Sequence, residues 1–338
     1  MSRKLLSFLL PLTLAASLLL GACATPAVAP TQTPTPTAVP AIIAPTIAPT
    51  VEPTTAPTAE PIVLTDALGR DVTLAAPATR IVSLAPSNTE IVFAIGAGAA
   101  LIGRDDFSDY PAEALNVPSI GSLYPNVNAE AIVALKPDLV LAAGITNRDD
   151  VKALADLGLT VYATSFAVTL DDIFNDILAV GVLTGHTADA DKLVTDLKAR
   201  VEAVTTQTAG LTDTPTVFYE IDATDPAKPY TTGKGTFIDQ LLTMAGGFNV
   251  GQVGADPYFQ ISLEELVAQD PTIIILGSAT YGGQTPELVA QRPGWEGLAA
   301  VKNGGVYTFD DNLVSRPGPR VVAGLEALAK LIHPELFK

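Results

Sequence analysis

The residues best suited to do chemistry in this sequence are aromatic side chains in predicted loops. The chain is only 6% aromatic, yet six of these residues fall where a predicted strand ends or a predicted helix begins. In α/β folds such loops gather at the carboxyl ends of the strands, where ligands bind. Aromatic walls suit a large, flat, partly apolar ligand, so the pattern predicts a binding site. The six are Phe107, Tyr110, Tyr124, Tyr230, Tyr258 and Phe259.

Catalytic chemistry has weaker support. The two histidines, His186 and His333, have no neighbouring nucleophile motif, and no group of His, Cys and Glu has the spacing of metal ligands. The single cysteine, Cys23, excludes a disulfide within the chain and a cysteine-ligated metal. We therefore expect a protein that is not an enzyme and that has no metal or cofactor of its own.

Three polar motifs are predicted to be structural or to supply single contacts. The adjacent acids Asp105–Asp106 and Asp310–Asp311 are expected to be solvated loop residues. Residues Thr232–Thr236, TGKGT, suggest a phosphate loop, but a Walker A motif needs glycine where the chain has Lys228. We expect turn chemistry there, with ligand contact through backbone N–H groups as the alternative. Arg316, in the proline-braced loop SRPGPR, would add a charged contact to a ligand.

The elements that must position these residues include one stretch that occurs twice. Tyr124–Ala142 matches Tyr258–Leu276 without a gap, at an offset of 134 residues. Each copy predicts a capped helix of about two turns that ends at a proline and leads into a short buried strand. A first-turn glutamate in each copy is predicted to point to solvent. The matching pairs are Asn128 with Ser262, Glu130 with Glu264 and Pro137 with Pro271.

The order of the predicted elements indicates two Rossmann-like α/β lobes with mainly parallel sheets. Between them, apolar residues at helical spacing predict one long helix over 188–207, which would be a stiff connector. A repeat as long as the one above also favours two similar lobes over a solenoid. The predicted boundaries are 62–186 for the N-terminal lobe, 187–209 for the connecting helix and 210–338 for the C-terminal lobe.

The N-terminal segment predicts export and a lipid anchor. Residues 1–23 have the form of a lipoprotein signal peptide, with a positive start, an apolar run and the sequence LGAC ending at Cys23. Residues 24–61 hold ten prolines among Thr and Ala, so we expect a disordered tether. A net charge of −17 argues against a nucleic-acid partner. We expect a protein on the outer face of the cell membrane, anchored through lipidated Cys23.

Five stretches of the folded body together resemble the substrate-binding proteins of ABC importers for cobalamin, iron-siderophores and haem. The resemblance covers roughly residues 62–338 and is closest to the vitamin B12-binding branch. It implies two α/β lobes joined by one long rigid helix. The stretches are RIVSLAPSNTEIVFAIGAG, DDFSDYP, NAEAIVALKPDLVLA, PYTTGKGTFIDQLLTMAGG and SRPGPRVVAGLEALAKLIHP.

This resemblance also implies roles for single residues. In the family, one surface glutamate on each lobe docks on arginines of the two permease subunits, and the matching residues are Glu130 and Glu264. The implied partners are those subunits, in the same membrane, with their cytoplasmic ATPase, and the receptor is expected to be a monomer. Ligand contacts carried over from the cobalamin branch are Phe107, Tyr124, Tyr230, Tyr258, Asp311 and Arg316.

The ligand itself stays open between related classes. Tyr124, Ala143 and Tyr258 stand where a cobalamin binder carries tryptophan, and the only tryptophan, Trp295, lies elsewhere. A corrinoid such as cobalamin is the first expectation. An iron-siderophore or haem is the second, because tyrosines can ligate ferric iron. The alternative of another class is an extracytoplasmic enzyme or a passive surface lipoprotein.

Overall fold

Residues 60–337 are described by a computed structural model of the chain, and they form two α/β lobes with a long helix between them. The predicted signal peptide, Cys23 and the tether up to residue 59 lie outside the described residues. Within residues 60–337, every helix is too short or too polar to cross a membrane. The predicted fold class is confirmed.

The first lobe is built on a four-stranded parallel sheet and a small hairpin. Its elements are β1 (Ile62–Thr65), β2 (Asp71–Leu74), β3 (Ile81–Ser83), α1 (Pro86–Ala94), β4 (Leu101–Arg104), α2 (Ala129–Leu135), β5 (Leu139–Ala142), α3 (Arg148–Asp156), β6 (Val161–Ala163) and α4 (Leu170–Thr184). The sheet order is β4-β3-β5-β6, and β1 pairs with β2. Each residue of β5 is buried, as expected for a central parallel strand with both faces covered.

The second lobe contains a six-stranded mixed sheet. Its elements are β7 (Thr216–Asp222), β8 (Tyr230–Thr232), α6 (Phe237–Met244), β9 (Phe248–Asn249), β10 (Tyr258–Gln260), α7 (Leu263–Gln269), β11 (Ile273–Leu276), α8 (Ala279–Gly282), α9 (Pro286–Ala290), α10 (Ala299–Asn303), β12 (Val306–Thr308), α11 (Asn312–Ser315) and α12 (Val321–Ile332). The order is β10-β8-β7-β11-β12, with β9 beside β7. Strands β7, β9, β11 and β12 run parallel. At one edge β8 pairs antiparallel with β7, and β10 pairs antiparallel with β8.

The connecting helix α5 spans Thr187–Thr208, which confirms the helix predicted at 188–207. Its 22 residues give a length of about 33 Å. It packs on α4 of the first lobe and on α6 and α12 of the second. Leu141, Leu197 and Tyr219, one from each lobe and one from the helix, belong to the same buried apolar cluster. The lobes therefore share a core, and changing the angle between them would expose part of it.

The two copies of the repeated stretch have the same local structure. Asn128 accepts a hydrogen bond from the Ala131 N–H, and Ser262 accepts one from the Glu265 N–H, both at 3.1 Å. Both predicted caps are therefore confirmed. Helices α2 and α7 also share one profile of buried and exposed positions, residue by residue, from 128–136 and 262–270. The resemblance between the copies extends from sequence to surface.

Each repeat helix ends on a non-glycine residue in the left-handed region, Lys136 at φ 50° and Asp270 at φ 42°. We expect Lys136→Gly to raise the free energy of unfolding by about 0.5–1 kcal/mol, because glycine adopts this conformation without a Cβ clash. Asp270→Gly is the matched control. It removes the same clash but loses the hydrogen bond from the Ala299 N–H to Asp270 Oδ1, 2.7 Å long. Urea unfolding measures both, and a destabilised Lys136→Gly would contradict the strain argument.

Candidate ligand-binding cleft

A cleft of about 430 Å³ lies between the lobes, at the carboxyl ends of the parallel strands of both sheets. The first lobe contributes the loops that follow β3, β5 and β6. The second contributes the end of β7, the edge strands β8 and β10, helix α6 and the loop around α11. This is the position that the sequence predicted for the ligand-contacting loops.

The first-lobe wall is largely apolar and was missed by the sequence analysis. Ile145 and Phe166 line the cleft with 74% and 59% of their surface exposed. A Cβ on Gly144 would lie 2.3 Å from the Phe166 backbone nitrogen, so only glycine lets these two loops touch. The signal that would have found them is simple. Both residues lie three positions after the end of a predicted strand, where the carboxyl-end rule places ligand contacts.

Tyr230 and Tyr258 form the aromatic part of the second-lobe wall. Their strands, β8 and β10, pair antiparallel, and the Tyr230 hydroxyl donates to the Tyr258 carbonyl oxygen at 3.4 Å. Burial, with the charge of Asp311 nearby, raises the pKa of Tyr258 above its ordinary value. The phenol of Tyr258 is therefore neutral at physiological pH.

Two acids that the sequence analysis expected to be solvated are buried. Asp311 lines the cleft and accepts a hydrogen bond from the Tyr219 hydroxyl at 2.7 Å. Asp105 accepts one from the Phe107 N–H at 2.8 Å, and burial raises the pKa of Asp105. The solvated reading was wrong for these two because each carboxylate turns inward to a donor. Their neighbours Asp106 and Asp310 are exposed, as expected.

The loop Thr232–Thr236 uses its N–H groups within the fold. Gly233 donates its N–H to the Pro257 carbonyl oxygen at 2.7 Å, and Gly235 donates to Asp239 Oδ2 at 2.8 Å. Thr236 accepts the Asp239 N–H at 3.2 Å and so caps α6. The expected turn chemistry is confirmed, and these donors are already occupied by protein acceptors.

Arg316 reaches the cleft from the second lobe and is held by two carboxylates of the first. Its Nη1 lies 2.5 Å from Asp109 Oδ1 and 3.9 Å from Glu90 Oε1. Arg320 donates to both oxygens of Glu90, at 2.9 and 2.6 Å, and its guanidinium carbon lies 3.9 Å from the centre of the Tyr110 ring. We call these five residues the lobe-bridging cluster. Its two arginines are matched by two carboxylates.

Burial dominates the pKa of Glu90 and raises it, although Arg320 and Arg316 act in the opposite direction. Asp109 behaves differently, because its side chain is 55% exposed. The hydrogen bond from Arg316 lowers the pKa of Asp109. The cluster therefore favours the charged form of Asp109 more strongly than that of Glu90.

We expect the pair between Asp109 and Arg316 to weaken in acid. Because the pKa of Asp109 is lowered in the folded protein, its contribution to stability is present above the ordinary value of about 3.9. It is lost as the pH falls through the lower, folded-state pKa. Urea unfolding of the wild type and of Asp109→Asn should therefore differ at about pH 6, and the difference should shrink as the pH falls below about 3.9. A difference that grows in acid would contradict this assignment.

The cleft unites four of the six predicted ligand contacts, namely Tyr230, Tyr258, Asp311 and Arg316. Phe107 and Tyr124 lie on first-lobe loops outside its lining, with 60% and 89% of their surface exposed. Contact between these two side chains and a ligand stays a prediction. The predicted docking residues, Glu130 and Glu264, are exposed in the first turns of α2 and α7.

Two α/β lobes, a helical connector with a shared core and an apolar cleft at the strand ends define a substrate-binding protein of the periplasmic type. The sequence profile of the periplasmic binding protein family matches residues 81–313, and the chain belongs to this family. The resemblance drawn from the sequence is confirmed.

Individual proteins agree with this assignment. The chain is 35% identical to an uncharacterized ABC transporter substrate-binding lipoprotein of Bacillus subtilis, over 82% of this chain and 87% of that protein. The crystal structure of the periplasmic vitamin B12-binding protein of Vibrio cholerae is similar, with a TM-score of 0.65 and 29% identity, over 76% of this chain and 98% of the other. A periplasmic haem-binding protein from Roseiflexus sp. RS-1 gives a TM-score of 0.69 and 25% identity, over 75% and 98%.

Proposed function

We propose that the chain is the extracytoplasmic, lipid-anchored substrate-binding component of an ABC importer and that it binds a corrinoid in the cleft between its lobes. The observation that carries the ligand assignment is an apolar, aromatic cleft whose arginine is already paired with carboxylates of the protein. The similarity to a lipoprotein of ABC transport and to a vitamin B12-binding protein supports the same reading.

The charge of the cleft favours a ligand with an uncharged rim. A corrinoid is a large, flat ring edged with neutral amides, so it can rest on Ile145, Phe166 and Tyr258 and hydrogen-bond to polar atoms at the edge of the cleft. Haem carries two propionates, and burying them needs cations that are free to pair with them. Arg316 is the cation that lines this cleft in the described residues, and Asp109 occupies it.

Haem or a ferric siderophore is the second candidate, and one observation favours it. Tyr230 and Tyr258 both line the cleft, on neighbouring strands, and phenolates ligate ferric iron. The raised pKa of Tyr258 opposes this role, because a neutral phenol must lose its proton before it binds the metal. A charge-transfer absorption band on adding a ferric complex would favour the iron ligand.

Anchorage and partners follow from the same proposal. Lipidation at Cys23 and the tether would keep the folded body near the membrane, where the permease subunits lie. Exposed Glu130 and Glu264 would meet arginines of two permease subunits, one per lobe. Such rim charges set the encounter rate and the orientation of a complex.

The deciding experiment is calorimetric titration of the full-length lipoprotein in detergent with cyanocobalamin, haemin and a ferric hydroxamate. We expect saturable heat with cyanocobalamin and weaker binding of the other two. Tight haemin binding without a response to cyanocobalamin would replace the corrinoid by the second candidate. No binding of any of the three would leave only the family assignment standing.

A further inference from the structure

We propose that Asp109 sets the charge specificity of the cleft by occupying Arg316, so that anionic ligands are excluded. The proposal deepens the function proposed above and rests on it only in taking the cleft as the ligand site. Nothing in it requires Asp109 to touch the ligand. Asp109 is a specificity-determining residue that acts through the guanidinium it holds.

The geometry places the two partners on different sides of the cleft rim. The Arg316 side chain is 9% exposed and lines the cleft, whereas the Asp109 side chain is 55% exposed. Asp109 comes from the first lobe and Arg316 from the second, 207 residues apart in the chain. The carboxylate therefore reaches across from the solvent side and pairs with a cation that faces the ligand.

The remaining contacts of Arg316 do not replace Asp109. Its Nη2 lies 3.4 Å from the Tyr281 hydroxyl, at the long limit of a hydrogen bond, and its Nη1 is 3.9 Å from Glu90. Glu90 already accepts two short hydrogen bonds from Arg320. Without the charge of Asp109, the lobe-bridging cluster would hold two arginines and one carboxylate, and the surplus positive charge would lie at Arg316.

Two nearby acids, Asp311 and Asp310, are present in the wild type and in an Asp109 variant alike, so they do not cancel the change in charge. Asp311 lines the same cleft, but its Oδ1 accepts the Tyr219 hydroxyl and it makes no ion pair with an arginine among the described residues. Asp310 is exposed, so water weakens its effect, but its charge still acts on Arg320. A cation freed in a partly buried cleft attracts an anion more strongly than it would in water. The cleft of an Asp109 variant should accordingly accept carboxylate-bearing ligands.

A purely structural role for Asp109 predicts something different. If the carboxylate only ties the lobes together, its removal weakens binding of every cleft ligand to a similar extent. If it governs charge, its removal strengthens binding of anionic ligands and leaves neutral ones nearly unchanged. The two roles therefore differ in the sign of the effect on one ligand class.

The test compares haemin with haemin dimethyl ester, which has the same ring but no carboxylates, on full-length wild type and Asp109→Asn. We expect Asp109→Asn to bind haemin at least about tenfold more tightly than the wild type does, with the ester and cyanocobalamin changed less than about threefold. Asp213→Asn, the same charge change on an exposed loop, should leave all three affinities unchanged. The double variant Asp109→Asn, Arg316→Gln should lose the gain for haemin.

Equal changes for haemin and its ester, or no gain for haemin, would overturn the proposal. Its failure is separable from failure of the corrinoid assignment. If the wild type does not bind cyanocobalamin but Asp109→Asn gains affinity for haemin alone, the corrinoid assignment is rejected and the role of Asp109 in charge specificity is retained. If the wild type binds cyanocobalamin and Asp109→Asn gains no affinity specific to haemin, the corrinoid assignment is retained and the role of Asp109 in charge specificity is rejected.

Discussion

Glu220→Ala should lower the free energy of unfolding by about 3–5 kcal/mol, because it leaves the Arg292 charge buried without its partner. The two side chains are 0% and 5% exposed. Arg292 Nη2 donates to Glu220 Oε1 at 3.0 Å and to Gln284 Oε1 at 2.8 Å, and Ser278 Oγ donates to Glu220 at 2.6 Å. In the absence of the carboxylate, Gln284 alone would remain as an acceptor for the buried guanidinium.

The chain offers a matched control on its surface. Arg200 donates to both oxygens of Glu326, at 2.8 and 2.7 Å, but these side chains are 43% and 40% exposed. Glu326→Ala should therefore cost less than about 1 kcal/mol, because water can replace the lost partner. Urea unfolding of both variants under the same conditions gives the comparison. Similar losses at the two sites would show that burial does not determine the cost of breaking these pairs.

Reversing the charge of Glu130 and Glu264 together should reduce uptake by at least about tenfold in cells that carry the matching permease. In each helix the exposed glutamate precedes an exposed valine by three residues, Val133 in α2 and Val267 in α7. The two lobes thus present equivalent faces, as a partner with two similar subunits requires. Lysine at both positions would repel the arginines expected on such a partner.

The control for this experiment uses other first-turn acids, one in each lobe. Asp149 in α3 and Glu287 in α9 are exposed and hold the same helical position. Reversing both makes the same overall change in charge as the test variant but leaves the proposed docking residues intact. Uptake should therefore stay within about twofold of the wild type. Ligand affinity, measured on the purified proteins, should not change in either double variant. Normal uptake by the Glu130 and Glu264 variant would reject docking and leave the cleft assignment untouched.

The features that the sequence predicted well are those set by short-range chemistry. Asn128 and Ser262 cap their helices because their side chains reach an N–H three residues on. The prolines that follow α2 and α7 stop each helix for a reason contained in the residue itself. The connector α5 shows its apolar face at helical spacing, and a period of this kind needs no knowledge of the partner element.

The lobe-bridging cluster and the buried pair of Glu220 and Arg292 were beyond such reasoning. Glu90 and Arg320 are 230 residues apart, and Glu220 and Arg292 are 72 apart. No periodicity links an acid to a base over such distances. The same limit explains the error at Asp311, whose donor is the Tyr219 hydroxyl on a different strand. Whether an acid in a loop is solvated or buried depends on whether residues distant in sequence place a hydrogen-bond donor beside it.

The core that runs through α5 has a consequence for how the rate of import depends on the amount of receptor. Because both lobes are fixed to one packed helix, the empty and the loaded receptor should hold α2 and α7 at nearly the same spacing. An empty receptor would then occupy the permease almost as well as a loaded one. The rate of import would depend on the stoichiometry of receptor and ligand, and a cell that made the receptor in large excess would inhibit its own supply.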